Sequence, residues 1–263
     1  MPAVGSEFSF GDLQEISSDG FERRLRKMRQ GVLTSARLIQ EELQGSGVAY
    51  RSALVTLTYR PGEQWEPRDI NGLLGHYRKW ATRRGCWIRY VWALELTKSG
   101  RPHYHIVLFL PRGLSPPLPD KQGWWRKGMT NAKWARSPVG YIAKYASKGG
   151  LFSCELPKGA RLWGCSSLST LNRGRLRWSL APSWLQKLIP FEEGVRRVRG
   201  WWVNASTGWA YLSPWLLDSC RAGSVVLRWI GWTSESVFIP IPSERGSGID
   251  DLLASLPAVP SRF

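Results

Sequence analysis

Sparse cysteine and histidine set the first limits on this chain. Cys86, Cys154, Cys165 and Cys220 are widely spread, with no Cys-x-x-Cys pair. That excludes a zinc ribbon and a dense disulfide framework and leaves reduced thiols of a cytosolic protein as the expectation. No apolar run approaches the roughly 20 residues needed to span a bilayer. The stretch from Met1 to Gly11 also lacks a basic patch followed by an apolar core, so a soluble, non-secreted protein is expected. A Gly-x-x-x-x-Gly-Lys-Ser/Thr phosphate loop is missing too, which argues against ATP or any other nucleotide cofactor.

Acidic residues are scarce as well: 20 Asp and Glu stand against 37 Lys and Arg, a formal charge of +17. Such a surface concentrates phosphates by long-range attraction and releases counterions on contact, so a polyanionic partner, nucleic acid first, is expected. The 43% apolar content of the 263 residues is ample for a packed core.

Residues 1–47 carry no strand pattern, and Phe21 to Gln44, with Leu25, Met28, Leu33 and Leu38 at loosely helical spacing, reads as an accessory helical segment. Ala53 to Tyr59 alternates, is rich in β-formers and ends at Pro61-Gly62, which predicts a strand. From Asp69 to Thr82, Ile70, Leu73, Leu74, Tyr77 and Trp80 form one helical stripe that should pack on the sheet; His76 lies off that stripe and is read as an ordinary surface or structural residue. Trp87 to Leu96 and His103 to Leu110 then form a hairpin around Thr97 to Arg101.

Register decides what that hairpin can do. A two-residue turn sets Glu95 opposite Tyr104, away from the histidines; a three-residue loop from Lys98 to Gly100 sets Glu95 opposite His103. Three-residue loops favour a left-handed glycine in last place, and Gly100 is there, so the second register is predicted. After a proline-rich loop from Leu114 to Gly123, Ser137 can cap a helix that starts at Pro138 and stops at Gly149-Gly150. On it Tyr141, Lys144, Tyr145 and Lys148 share one arc, and Val139, Ile142, Ala143 and Ala146 are expected to form the packing side. Residues 186–242 read as a small β-rich, tryptophan-rich module, and 243–263 as a tail.

Histidines two apart in a strand project the same way and can grip one cation. His103 and His105 with Glu95 form the expected ligand set, leaving coordination positions open for phosphate and water, which suits Mg²⁺ or Mn²⁺ in a nuclease. The cation would neutralise charge on the phosphate while a phenolate-like oxygen attacks phosphorus. Free tyrosine titrates at about 10. Lys144 and Lys148 are therefore expected to favour the phenolate form or to hold phosphate.

Pro102-His103-Tyr104-His105, the doubled Tyr-x-x-Lys of Tyr141 to Lys148, and Thr56-Leu57-Thr58-Tyr59 resemble the three motifs of the HUH endonucleases. More narrowly, about Leu54 to Trp184, including Leu156 to Leu162, is similar to the rolling-circle replication initiators of filamentous bacteriophages and related plasmids. The resemblance implies an α+β fold over residues 48–185: an RRM-like or ferredoxin-like antiparallel sheet with helices on one face, presenting His103, His105 and Glu95 beneath the tyrosine helix. It implies an enzyme that nicks one strand at an origin, keeps a 5′-phosphotyrosine, leaves a free 3′-OH and rejoins strands to release single-stranded circles in a bacterial host's cytoplasm. A host helicase and polymerase would be partners, since no helicase is fused.

Whether Tyr141 or Tyr145 attacks first, or whether both act, stays open, because both satisfy Tyr-x-x-Lys. A single-strand DNA transposase of the same superfamily and a non-catalytic nucleic-acid-binding protein remain the alternatives. Among the 16 tryptophans, Trp80, Trp87 and Trp92 sit in periodic elements and are expected in the core. Trp124-Trp125-Arg126-Lys127, and Trp201-Trp202 near Arg196, Arg197 and Arg199, are expected to stack on unpaired bases of single-stranded or hairpin origin DNA, assisted by Arg173, Arg175 and Arg177.

Overall fold

The computed structural model of the chain describes residues 12–17, 20–97, 100–147, 160–198, 200–221, 224–229 and 237–238. Contacts divide the chain into two compact units, Glu22–Leu168 and Met1–Phe21 with Ser169–Phe263. From the sequence, divisions are expected at 47, 185 and 242. Among the described residues no helix is long and apolar enough to cross a membrane.

The elements in order are β1 (Leu13–Ser17), α1 (Gly20–Gly45), β2 (Tyr50–Tyr59), α2 (Asp69–Thr82), β3 (Arg89–Leu96), β4 (Pro102–Pro111), β5 (Gly128–Ala135), α3 (Pro138–Ser147), β6 (Trp163–Cys165), α4 (Thr170–Ser179), α5 (Ser183–Leu188), β7 (Val195–Val198), β8 (Trp201–Asn204), β9 (Trp209–Tyr211), β10 (Trp215–Arg221), β11 (Ser224–Trp229) and β12 (Val237–Phe238). In the first unit, five strands run in the order β5-β2-β4-β3-β6, every neighbour antiparallel. β2, α2 and β3 form a split β-α-β unit with β4 inserted between its strands, the central arrangement of ferredoxin-like sheets. The expected α+β class therefore holds.

The expected placement of all helices on one face does not hold. Side chains alternate along a strand, so Tyr59, Tyr104 and Trp92 project from one side while His103, His105 and Glu95 project from the other. α2 covers the first side, burying Ile70, Leu73, Leu74, Tyr77 and Trp80; Tyr59 donates a 2.7 Å hydrogen bond to its Asp69. α3 and α1 cover the second. α1 buries Leu25, Met28, Val32, Ala36, Leu38, Ile39 and Leu43, its Glu42 pairs with Arg89 of β3 at 3.3 Å, and its Gly31 lies against the Trp163 indole. The segment read as accessory is thus part of this unit's core. The amphipathic stripe needed a partner, and the β3–β6 side of the sheet supplies one.

β5, which no alternation in the sequence signals, is an edge strand with many exposed side chains. Its first residue, Gly128, pairs with Tyr59, and a β-carbon there would fall on the Thr58 carbonyl. Gly128→Ala is expected to lower stability by about 1–3 kcal/mol through backbone displacement. A reduced thermal midpoint in circular dichroism measures it, and an unchanged midpoint would refute the argument.

The second unit has a β12-β9-β8-β7 sheet and a β1-β11-β10 sheet. β1, in the segment where no strand was expected, pairs with β11 from Leu13↔Arg228 to Ser17↔Ser224. One core gathers Trp184, Leu185, Ile189, Val195, Trp215, Leu227 and Trp229, and a smaller one Trp201, Val203, Ala210 and Leu212. Much of the tryptophan content is therefore structural.

Candidate active site

The predicted hairpin register is the one observed: Glu95 pairs with His103 and Leu96 with Pro102. Gly100 adopts the left-handed conformation, φ +73°, and donates its N–H to the Thr97 carbonyl at 2.9 Å. On the next strand Thr58 lies opposite His103 and Thr56 opposite His105. Two imidazoles, a carboxylate and two hydroxyls thus share one face of three adjacent strands.

His105 is 4% exposed. Its Nε2 is 2.7 Å from Glu95 Oε2, and its Nδ1 is 3.3 Å from Thr56 Oγ1, so both ring nitrogens are engaged. The His103 ring lies 6.3 Å from that of His105, centroid to centroid. Burial, then the neighbouring His105, and also Arg101, push the His103 imidazole below its ordinary pKa against the pull of Glu95. It is consequently held in the neutral form that can donate a lone pair to a cation. That donor chemistry fits a divalent metal. Among the described residues, however, no three His, Cys, Asp or Glu side chains stand as a ready-made metal group, and Glu95 is turned onto His105.

Tyr104, between the histidines, points through the sheet to the other side. It is buried and accepts a 2.8 Å hydrogen bond from Trp65 Nε1; burial, first of all, pushes its phenol up to about 12. Beneath the site, Asp69 joins Tyr59 of β2 to Lys127 at 3.0 Å, tying α2 and the entry to β5 to the centre of the sheet.

α3 begins at Pro138, as predicted, with the Tyr141 N–H donating to the Ser137 carbonyl at 3.0 Å. Its faces follow the expectation except at Tyr145. Pro138 and Ile142 are buried, Val139 and Ala143 are half-buried, and Tyr141 and Lys144 are exposed. Tyr145 follows Pro138 and Ile142 along the stripe toward the sheet, and its ring stacks on His105 at 3.5 Å with 12° between planes. The helix lies on the histidine face, so any phenol that meets the imidazoles has to come from the packing side. Tyr141, 43% exposed, is one turn earlier on the flank. Lys148 lies outside the described residues, as do residues 156–159 of the Leu156 to Leu162 segment and Arg199.

Several expected DNA contacts belong to the fold instead. Trp125 is 4% exposed and packs edge-on against Tyr59 at 5.0 Å; Lys127 is ion-paired to Asp69 and Glu66. Arg126 is exposed. Trp124 is half-buried and stacks on His76, on the α2 side of the sheet. Trp201 is a core residue at 1% exposure, and Trp202 is covered by the Arg197 guanidinium at 4.4 Å. Arg173, Arg175 and Arg177 lie on α4 in the other unit; the first and last are exposed, while Arg175 reaches Asn172 Oδ1. Trp80 and Trp92 are buried as expected, but Trp87 precedes β3, is 54% exposed and stacks under Arg89. Thr56 and Thr58, unassigned from the sequence beyond their motif, form the polar floor beside the histidines; strand alternation and the β2–β4 pairing are the signal that places them there.

Residues 52–150 match the family model for replication-associated protein ORF2/G2P. The match covers less than half of the chain but includes Glu95, His103, His105, Tyr141 and Tyr145. No curated protein and no solved structure matches the chain.

Proposed function

We propose that the chain is a rolling-circle replication initiator of the HUH type, which nicks and rejoins one DNA strand, with Tyr145 as the first nucleophile. The observation that carries this reading is the Tyr145 ring resting on His105, beside His103 and Glu95. The replication-associated match over the same residues and the charge of +17 support the substrate class.

His103, His105 and Glu95 would hold the Mg²⁺ or Mn²⁺ ion, which when bound supplies Lewis-acid polarisation of the scissile phosphate. Tyr145 Oη attacks phosphorus and the bond to the 3′ oxygen breaks. The phenolic proton ends on that oxygen, giving a 3′-OH and a 5′-phosphotyrosine. One phosphodiester replaces another, so the 3′-OH of a strand can reverse the step and rejoin DNA. Lys144 and Lys148, each three residues after a tyrosine, balance phosphate charge. Tyr141, exposed one turn away, serves the second cut at the regenerated origin while Tyr145 is occupied. Unwinding and synthesis fall to a host helicase and polymerase.

A non-catalytic DNA binder is favoured by one observation, the direct His105–Glu95 hydrogen bond, which gives the histidine a structural role without metal. One assay separates the two. An origin oligonucleotide labelled at its 3′ end and incubated with the full chain and Mn²⁺ is expected to yield a labelled protein band on a denaturing gel. Mass spectrometry should map it to the peptide bearing Tyr145. No adduct with either Mn²⁺ or Mg²⁺ overturns the enzymatic reading.

A further inference from the structure

The side of the sheet away from His103 and His105 carries a second constellation. A cleft of about 300 Å³ is lined by His76, Lys79, Trp80, Arg83, Arg84, Gln122 and Trp124. It combines three cations with an aromatic step, and no acidic side chain lines it. The His76 and Trp124 rings stack with 8° between planes. Arg84 lies over the Trp80 ring at 4.7 Å. Among the described residues Lys79, Arg83 and Arg84 form no salt bridge.

The step is fixed before any ligand arrives. The N–H groups of Trp124 and Trp125 both donate to the Pro119 carbonyl, at 2.8 and 3.1 Å, and Trp124 meets Tyr77 edge-on at 5.4 Å. Gly123 turns the chain at φ +69°. His76 and Lys79 on α2 and Arg83 at its C-cap follow at helical spacing along one ridge. Basic residues near a helix C-terminus also offset its dipole, and Arg84 does donate to the Trp80 carbonyl at 3.3 Å. The aromatic stack opposite them does nothing for a helix end.

We propose that this cleft holds one unpaired nucleotide of single-stranded DNA. Its base lies against the His76–Trp124 stack, its phosphate meets Lys79, Arg83 and Arg84, and Gln122 can bond a base edge. Aromatic platforms within cationic grooves bind single strands with little sequence preference. A strand held here and at Tyr145 passes around the sheet, so the cleft anchors flanking DNA rather than the cleaved bond.

Anisotropy of a labelled oligo-dT strand of about twenty nucleotides, at one fixed salt concentration, tests the assignment on the full chain. Arg83→Ala with Arg84→Ala is expected to weaken binding about tenfold or more, whereas Arg23→Ala with Arg26→Ala, which removes equal charge from α1, should cost less than about threefold. Adduct formation on a short origin oligonucleotide should not change, and the binding loss should persist when Tyr145 is phenylalanine, so failure of the nucleophile and failure of the cleft are read separately. Equal losses in the two arginine pairs would reduce the cleft to general charge and overturn the proposal. Competition by micromolar dTMP would assign it to free nucleotides and overturn it equally.

Discussion

Tyr145→Phe is expected to abolish the covalent adduct, lowering cleavage by on the order of 10⁴-fold or more, because the attacking oxygen itself is removed. Phenylalanine keeps the ring that stacks on His105 at 3.5 Å, so the packing around the imidazole persists and circular dichroism should still show a folded chain. Tyr141→Phe, one turn away and 43% exposed in the parent chain, is expected to leave the first cut within about threefold while blocking the second. Release of unit circles would then fall while the first adduct accumulates. A denaturing gel with a 3′-labelled origin strand reads the first step, and circle formation reads the second. Adduct lost in Tyr141→Phe and retained in Tyr145→Phe would reverse the assignment. Full activity for both steps in each single variant would show that either phenol suffices.

Which tyrosine meets His105 was not legible in the sequence, and the reason is physical. Tyr-x-x-Lys occurs twice with the same helical phase relative to itself, so only the face that α3 turns to the sheet distinguishes the copies. The hairpin was legible because its determinants are local: strand alternation, a loop of fixed length and a glycine at Gly100 suited to positive φ. Asp69–Thr82 was legible too, since its stripe is regular. α1 escaped because a charged helix with one apolar face does not reveal whether that face meets the site's own sheet. β1 and β5 escaped because their alternation is weak, β1 being completed by β11 more than two hundred residues away. Trp125 and Trp124 are neighbours in one basic run, yet one fills the space beside Tyr59 and the other faces a cleft. Composition cannot tell a buried indole from a stacking one.

Glu95→Gln is the sharpest probe of how the two histidines are used. In the structure Glu95 Oε2 sits 2.7 Å from His105 Nε2, and a glutamine can keep a hydrogen bond of the same reach through its carbonyl oxygen. If the carboxylate merely orients His105, the substitution changes little beyond a small stability difference. If it belongs to a cation's ligand set, loss of its charge weakens that set even though the hydrogen bond survives. The expected outcome is a shift of about 100-fold or more in the Mn²⁺ concentration that gives half-maximal nicking, partly rescued at high Mn²⁺, with an unaltered thermal midpoint. His105→Ala should lose nicking at every metal concentration, since a buried donor that also seats Tyr145 is gone, and EDTA should silence the parent enzyme. Glu95 is half-buried on the same strand face as His103, so with His103 and His105 it would be placed to share a cation, whose charge its carboxylate would help to balance. A Glu95→Gln enzyme with the parent's metal midpoint would remove the carboxylate from the ligand set and leave it as the His105 hydrogen-bond partner alone.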